Sequence, residues 1–290
     1  MDIMNIREQL ETNGFCVVNN ILSDEEVSQG YNMFHEWKNT IPNHDKIHYA
    51  IDPHGIYKHH EAGHTKHAWF IRTRPNVQQI FKDLWNTDEL IVSFDGCCYI
   101  PKMFSKIDKK GWAHSDQAPN TQGLQCIQGF VSLTSNKERT FVVYEGTHKM
   151  HYDFFKERNI QNCKNWNKIP EKDVKDLTHL KRVVHVPAGS LVLWDSRTFH
   201  EAQYGKPGSE ERIVQYVCFI SKNHPKNTDS MKKKRIKYFN EKRTTSHWPA
   251  PVHVNGLQPR TFGDKSKLID YSLLTPPDLS EYIDEINKLI

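Results

Sequence analysis

A succession of short apolar runs between residues 90 and 220 constrains the fold more than any other feature of the sequence. Each run is a few residues long, is rich in β-branched and aromatic side chains, and is bounded by turn-forming residues, as expected for strands. The runs are 90–94, 124–134, 141–144, 182–186, 190–194 and 213–220. Strands this short and this numerous indicate a β-sandwich or barrel rather than a parallel α/β sheet.

We predict one domain over residues 1–290. A chain of 290 residues with 37% hydrophobic content can bury one large core. Helical patterns fill residues 1–90, and the β core is expected at 91–221 with an insertion at 151–180. A basic, proline-containing extension follows at 222–290.

Two helices near the N-terminus are marked by their end signals. Apolar residues at helical spacing precede Gly14, which is a natural residue to end a helix. Ser23 and Glu26 then have the spacing of a capping box, which predicts the start of a second helix. A third helix is expected to begin at Pro75.

The composition argues against several classes of protein. The formal net charge of +4 is small for a general nucleic-acid binder. No apolar stretch has the length of a membrane span, and the first residues lack the apolar segment of a signal peptide. The six cysteines form no CxxC pair and lie mostly in apolar runs, which is typical of reduced thiols. We therefore expect a soluble intracellular protein, most simply cytoplasmic, without a membrane partner.

A His-x-Asp pair, His114 and Asp116, provides candidate metal ligands. Side chains two residues apart in an extended backbone point to the same side, so both can reach one ion. A third imidazole, His200, follows the predicted strand 190–194. Two histidines and one carboxylate that leave open positions on the metal are the ligand set of non-haem iron(II) oxygenases. The sequence therefore predicts that these three catalytic residues bind iron(II).

The order of the groups along the chain supports this hypothesis, since a lone HxD arises readily among 17 histidines. Arg212 opens the next predicted strand after His200, and in a double-stranded β-helix these strands lie side by side. A guanidinium offers a planar fork that binds a carboxylate through two hydrogen bonds. Arg212 is therefore predicted to bind the distal carboxylate of 2-oxoglutarate. The alternative is a salt bridge at the rim with Glu210 or Glu211.

Several segments of the chain resemble the phytanoyl-CoA dioxygenase superfamily of iron(II)- and 2-oxoglutarate-dependent oxygenases. They are Asn-Gly-Phe-Cys-Val-Val at 13–18 with Leu-Ser-Asp-Glu-Glu at 22–26, Trp-Ala-His-Ser-Asp-Gln at 112–117, Glu-Gly-Thr-His-Lys at 145–149, and Val-Pro-Ala-Gly-Ser-Leu-Val-Leu-Trp-Asp at 186–195. The resemblance implies a mainly β fold with flanking helices around a double-stranded β-helix, or jelly-roll, core. It also implies that His114, Asp116 and His200 bind iron(II) and that Arg212 binds 2-oxoglutarate.

The resemblance implies a dioxygenase that uses O2 and 2-oxoglutarate and releases succinate and CO2. Asp116 favours hydroxylation over halogenation, because halogenating relatives lack the carboxylate ligand. The expected substrate is a small or carrier-linked organic molecule. One alternative is an oxygenase that acts on a nucleobase or nucleic acid, suggested by the basic run at 232–243. Another is a catalytically silent β-helix binding module.

One departure from the family concerns the co-substrate. A serine that is common two residues after the distal histidine is Ala202 here, so one hydrogen bond to 2-oxoglutarate must come from elsewhere. Gln128 is the predicted source, because it shares a strand face with Phe130 and Ser132 that we expect to point inward. The alternative is an exposed strand glutamine.

A histidine-rich region at 44–67 provides a further candidate site. The adjacency of His59 and His60 and the irregular spacing of the others argue against a second metal site. We predict instead a polar loop or a lid over the cofactor mouth. Trp69 and Arg72 follow this region, and either contact with the substrate or ordinary packing would explain them.

Overall fold

The computed structural model describes residues 2–44, 48, 54–104 and 111–290. The helices are α1 (Ile3–Asn13), α2 (Asp24–Thr40), α3 (Lys66–Arg72), α4 (Pro75–Trp85), α5 (Thr147–Glu157), α6 (Glu171–Asp176), α7 (Asp229–Asn240) and α8 (Ile283–Leu289). The strands are β1 (Phe15–Val18), β2 (Ile56–Tyr57), β3 (Leu90–Val92), β4 (Cys97–Ile100), β5 (His114–Ser115), β6 (Ile127–Ser132), β7 (Phe141–Tyr144), β8 (Asn167–Lys168), β9 (Lys181–Val183), β10 (Leu191–Asp195), β11 (His200–Ala202), β12 (Arg212–Val217) and β13 (Phe219–Ser221). Within these described ranges, no helix is long and apolar enough to span a membrane.

The chain divides into two compact units. Unit 1 comprises Met1–Asn19 and Ile100–Arg212, and unit 2 comprises Asn20–Tyr99 and Ile213–Ile290. Every residue predicted to bind the metal or the co-substrate belongs to unit 1. The organisation of 1–290 as one domain, with its internal boundaries, stays a prediction.

Unit 1 contains two antiparallel sheets whose inner side chains meet. In one sheet β10 lies between β1 and β6, and in the other the strand order is β8-β5-β11-β7-β9. Phe141 of β7 lies 4.9 Å from Trp194 of β10 and 5.9 Å from Phe130 of β6, measured between ring centroids. Burial of these aromatic faces against each other stabilises the packing of one sheet on the other. The predicted mainly β fold with a jelly-roll core and flanking helices is confirmed.

The first two helices begin and end at their predicted signals. Helix α1 ends where Gly14 adopts a φ of +83° and donates its N–H to the Leu10 carbonyl at 3.0 Å. Helix α2 begins with the predicted capping box: the Ser23 hydroxyl accepts from the Glu26 N–H at 3.2 Å. In return, the Glu26 carboxylate accepts from the Ser23 N–H at 2.9 Å. Both reciprocal bonds satisfy N–H groups that a helix start leaves without partners.

The turn at Gly14 joins segments that are far apart in sequence. The Gly14 carbonyl accepts from the Asp195 N–H at 3.0 Å and from the Thr198 hydroxyl at 2.9 Å. The neighbouring Asn13 carbonyl accepts from the Gly146 N–H at 2.8 Å. The N-terminal motif therefore fixes the chain that leads into β11 and the turn that opens α5.

Unit 2 has a core of its own, with strands packed on it. Strand β4 lies between β2 and β12, and β13 pairs with β3 so that Phe219 is opposite Val92. Helix α4 begins at Pro75, as predicted, and the indole of Trp85 at its end donates to the Phe219 carbonyl at 2.7 Å. Ile91 and Ile220 are buried in this core.

The described histidines of the 44–67 region include core residues of unit 2. His60, His64 and His67 are buried, and burial lowers their pKa values to about 4, 3 and 3 respectively, so their rings are neutral at neutral pH. His64, for example, packs 4.7 Å from the ring of Phe94. The expectation of a polar loop is therefore wrong for these three rings. Residues 45–47 and 49–53 lie outside the described residues.

Trp69 and Arg72 are packing residues of unit 2. Both side chains have no exposed surface. The Arg72 guanidinium donates to the carbonyls of Gly63 and Asp95, both at 2.6 Å, and lies 5.2 Å from the Trp69 ring centroid. Of the two sequence-based alternatives, packing is the one observed.

The basic run at 232–243 is partly structural. It lies largely on α7, where Arg235 is buried and donates to the Asn227 side-chain oxygen at 2.9 Å. Lys237 lies 3.8 Å from Glu241 on the next turn. Exposed lysines remain on the same helix, so the run resembles an ordinary solvated helix face more than a concentrated anion site.

We expect Gly14→Ala to destabilise the protein more than a glycine replacement that introduces strain alone. A Cβ at Gly14 would stand 2.5 Å from His148 Nδ1 and 2.6 Å from Thr198 Oγ1, in addition to the strain of its φ of +83°. The matched control is Gly208→Ala, at a φ of +84° with nothing within 4 Å of the added Cβ. Urea unfolding should give a loss of about 1–2 kcal/mol for the control and about 2–4 kcal/mol for Gly14→Ala. Equal losses would contradict the packing role of Gly14.

Candidate active site

The candidate site is organised by one antiparallel strand pair. Strands β5 and β11 are neighbours, and His114 lies directly opposite His200 in their register. The two imidazole rings are 4.4 Å apart between centroids, and each residue retains 5% of its surface exposed. Strand pairing therefore brings together two imidazoles that are far apart in sequence.

Asp116 completes a group of three ligand-type side chains. Its Oδ2 lies 3.2 Å from His200 Nε2 and 3.7 Å from His114 Nε2. One potential ligand atom from each residue lies within 4.8 Å of the others, and no other histidine, cysteine or carboxylate group of this kind occurs in the part of the chain that the structure describes. The Asp116 N–H donates a hydrogen bond to the Ser196 carbonyl at 3.0 Å, which holds the backbone at this ligand candidate. The sequence-predicted triad is thus assembled in space.

The hydrogen bonds of the two imidazoles decide which nitrogens are available to a metal. His114 Nδ1 lies 3.0 Å from the Trp112 carbonyl, and His200 Nδ1 lies 2.9 Å from the Thr198 carbonyl. A carbonyl only accepts, so each Nδ1 carries the proton and each Nε2 keeps its lone pair. Two imidazole lone pairs and a carboxylate oxygen are a donor set that suits a divalent transition metal. The residues present therefore fit an iron(II) ion.

The side chains next in sequence to the ligand candidates point to the opposite face of the sheet from the triad. The Ser115 hydroxyl, between His114 and Asp116, lies 3.3 Å from His151 Nε2 on helix α5. Burial lowers the pKa of His151 to about 4, so this ring is neutral at neutral pH. Phe199, which precedes the third ligand, packs 4.9 Å from the ring of Phe154. Helix α5 therefore supports both ligand strands from behind.

Gln128 lies against the carboxylate of the triad. Its side chain is 3% exposed, and its Nε2 donates to Asp116 Oδ2 at 3.1 Å. The alternative of an exposed strand glutamine is therefore excluded. Among the described residues, the Gln128 Oε1 atom is buried without a hydrogen-bond partner. The observed contact orients a metal-ligand candidate, and contact with 2-oxoglutarate stays a prediction.

Arg212 is a buried cation beside the aromatic interior of unit 1. It is 2% exposed, and its guanidinium carbon lies 5.5 Å from the centroid of Phe130. Glu210, proposed above as one alternative partner, instead accepts hydrogen bonds from the backbone N–H groups of residues 137–139 at 2.6, 2.7 and 3.1 Å. Burial raises the pKa of Glu210, but these N–H groups outweigh it and hold that pKa below its usual value. The role of Arg212 in binding 2-oxoglutarate stays a prediction.

Trp194 is a site residue that the sequence analysis did not identify. It is 4% exposed, and its ring lies 5.2 Å from His200 and 5.9 Å from Phe130, the residue beneath Arg212. Its indole N–H is buried and has no partner among the described residues. Trp194 lies opposite Gln128 in the pairing of β10 with β6, a relation that only the strand register reveals.

Comparisons with known proteins agree with this geometry. The family model described as Phytanoyl-CoA dioxygenase (PhyH) matches residues 10–204. Ava biosynthesis cluster protein O of Aspergillus versicolor is 28% identical over 238 residues, which cover 74% of this chain and 77% of that protein.

Solved structures share the fold at low sequence identity. HygX from Streptomyces hygroscopicus, with nickel and 2-oxoglutarate bound, is similar with a TM-score of 0.52 and 13% identity, covering 75% of this chain and 87% of that one. EctD from S. alaskensis, with 2-oxoglutarate and 5-hydroxyectoine, has a TM-score of 0.51 and 14% identity, with coverage of 76% of each chain. These similarities support the double-stranded β-helix fold of this chain.

We expect Gln128→Met to weaken metal binding without unfolding the protein. Methionine keeps the length of the side chain but removes the hydrogen bond to Asp116 Oδ2. Loss of a partner that orients a ligand typically reduces metal affinity by about 10- to 100-fold. Titration of the apoprotein with Mn(II), followed by calorimetry, would measure this change. The control is Gln122→Met at an exposed position, and equal affinities in the two variants would contradict the orienting role.

Proposed function

Because the chain belongs to the phytanoyl-CoA dioxygenase family, we propose that it is an iron(II)- and 2-oxoglutarate-dependent dioxygenase that hydroxylates a small or carrier-linked organic substrate. The observation that carries this proposal is the triad itself. The Nε2 atoms of His114 and His200 lie 3.7 and 3.2 Å from the Oδ2 atom of Asp116, and all three residues are buried.

In this proposal His114, Asp116 and His200 hold iron(II). When bound together, iron(II) and 2-oxoglutarate supply the activation of O2, with release of succinate and CO2 and insertion of one oxygen atom into a C–H bond of the substrate. The carboxylate ligand, Asp116, favours hydroxylation over halogenation.

The chain's own contribution is to hold the ligands in one orientation. The carbonyls of Trp112 and Thr198 keep the proton of each imidazole on Nδ1. Gln128 restrains the carboxylate by donating to its Oδ2. Ligand atoms that are fixed in advance need less rearrangement when the metal binds.

The co-substrate is proposed to lie between Arg212 and the triad. Arg212 would bind its distal carboxylate through two N–H groups of its planar guanidinium. Trp194 would donate its indole N–H to a co-substrate oxygen, since the indole ring lies 5.2 Å from the ring of His200 and its N–H has no partner among the described residues. This donor, together with the predicted contact from Gln128, would replace the hydroxyl that is absent at Ala202.

The aromatic side chains of the two sheets keep bulk water from this region. Phe141 lies 5.5 Å from His200 and 4.9 Å from Trp194, measured between ring centroids, and Phe130 lies beneath the Arg212 guanidinium. In such surroundings the attraction between a guanidinium and a carboxylate is screened less than in water.

An anaerobic titration with iron(II) and then 2-oxoglutarate tests the function. We expect a visible charge-transfer band of the chelated keto acid in the wild type, no band in His200→Ala, and a band in Arg212→Ala only at far higher 2-oxoglutarate. Loss of a charge-assisted pair, worth roughly 1.5–3 kcal/mol, should raise the Kd for 2-oxoglutarate by about 10- to 160-fold. The exposed residues His185 and Arg182 give the matched controls, His185→Ala and Arg182→Ala.

A well-folded wild type that gives no band would refute the proposal and favour the silent binding module. A band that survives in His200→Ala would refute the ligand assignment alone. A normal Kd in Arg212→Ala would assign the co-substrate carboxylate to another cation.

Trp194→Phe should weaken 2-oxoglutarate binding while the metal site remains intact. The substitution keeps an aromatic ring and removes one hydrogen-bond donor, which is worth about 0.5–1.5 kcal/mol, or roughly 2- to 12-fold in Kd. Trp248→Phe is a close control, because Trp248 is also 4% exposed and its indole N–H also lacks a partner in the described structure. The band titration measures both variants, and an unchanged Kd in Trp194→Phe would exclude the indole as a donor.

A further inference from the structure

An exposed tryptophan lies beside the candidate metal ligands. The ring of Trp166 is 5.4 Å from the ring of His114, at an interplanar angle of 31°, and Trp166 is 51% exposed. Single exposed apolar side chains are common on protein surfaces. The position of this one is unusual, because one part of the indole contacts a ligand candidate while the rest faces solvent.

The backbone on both sides of Trp166 is fixed to the strand that carries His114. The Asn165 side-chain oxygen accepts from the Ala118 N–H at 3.1 Å, and Asn167 lies opposite Ser115 in the pairing of β8 with β5. The Asn167 side chain in turn donates to the Lys164 carbonyl at 2.7 Å. The indole is therefore presented by a constrained segment, so little conformational entropy would be lost when a ligand covers it.

A second indole contacts the same imidazole. Trp112 stacks on His114 at 4.7 Å with an interplanar angle of 23°, and it is partly exposed. Its Nε1 donates to the Ala202 carbonyl at 2.9 Å, which fixes the ring. Two constrained indoles, one half-exposed and one partly exposed, thus contact the ring of His114, and we call this pair the aromatic rim.

The chemistry of this rim favours one class of ligand. Flat, rigid indole faces interact best with other planar rings, through offset or edge contacts that add to simple burial. Indoles also attract cations, and the Glu201 carboxylate accepts from the Trp112 N–H at 2.8 Å. The two exposed lysines nearest in sequence to the more exposed indole, Lys164 and Lys168, weigh against a cationic ligand at Trp166. A neutral or anionic ring is the better match.

We propose that Trp166, with Trp112, forms the substrate subsite of this enzyme, and that the substrate carries a planar conjugated ring that is neutral or anionic. This inference rests on the proposed function, because it assigns the substrate class of the same site. It also gives the segment between α5 and α6 a direct role in recognition, beyond its part in the sheet.

Binding of small probes to the enzyme loaded with iron(II) and 2-oxoglutarate tests the inference. Anaerobic equilibrium dialysis would compare indole-3-acetate, which is planar and anionic, with cyclohexylacetate, which is saturated, and tryptamine, which is planar and cationic. We expect indole-3-acetate to bind most tightly. Its Kd should rise about 5- to 10-fold in Trp166→Ala and less than about 3-fold in Trp166→Phe, since phenylalanine keeps a ring face. Phe262→Ala removes a different exposed aromatic side chain and is the matched control.

Each other outcome overturns part or all of the inference. Equal binding of the planar and saturated probes, or no binding of either, would exclude a subsite for planar rings. An unchanged Kd in Trp166→Ala would exclude Trp166. Tighter binding of tryptamine would refute the charge assignment.

The charge-transfer band, recorded in the same samples, separates this test from that of the proposed function. A normal band with no ring preference refutes the subsite and leaves the oxygenase proposal standing. A missing band in the wild type refutes the oxygenase proposal, and with it the assignment of the subsite to a substrate.

Discussion

The antiparallel register of β5 with β11 is the constraint on which the candidate site depends. It places His114 directly opposite His200, and a shift of either strand by one residue would turn that strand's imidazole to the other face of the sheet. The packing behind the strands opposes such a shift. Phe199 is completely buried against Phe154, and exposing a phenylalanine costs roughly 1.5–3 kcal/mol. The hydrophobic core behind the sheet therefore maintains the geometry of the polar site in front of it.

The motifs that the chain shares with its family act together through a few backbone hydrogen bonds. The Gly14 carbonyl accepts hydrogen bonds from the Asp195 N–H and the Thr198 hydroxyl, and the Thr198 carbonyl lies 2.9 Å from His200 Nδ1. Thr198 therefore links the N-terminal turn at Gly14 to His200, a proposed metal ligand. Glycine suits this position because its φ is positive and because a Cβ would collide with His148 and Thr198.

Polar groups in the interior of unit 1 divide into those whose partners belong to the protein and those proposed to meet ligands. Gln117 illustrates the first kind: its side-chain amide donates to two carbonyls, both at 2.9 Å, and its oxygen accepts from the Ser196 hydroxyl. Trp194 illustrates the second, since its indole N–H is buried without a partner among the described residues. A buried donor without a partner costs about 1–3 kcal/mol, a cost that a bound co-substrate would remove. The half-exposed ring of Trp166 is an apolar surface in contact with water, and a bound substrate is proposed to cover it.

The sequence by itself determined the fold class, the helix signals at Gly14, Ser23 and Pro75, and the identity of the triad, because these depend on local periodicity, turn chemistry and ligand type. It misjudged the buried histidines at 60, 64 and 67, because polarity along a chain does not reveal which rings will be packed among aromatic neighbours. Only the tertiary structure decided that Gln128 contacts Asp116, that Trp194 lies between His200 and Phe130, and that Trp166 lies beside His114. Each of these contacts joins different strands or loops, and strand register, which sets them, is fixed by the packing of the whole core.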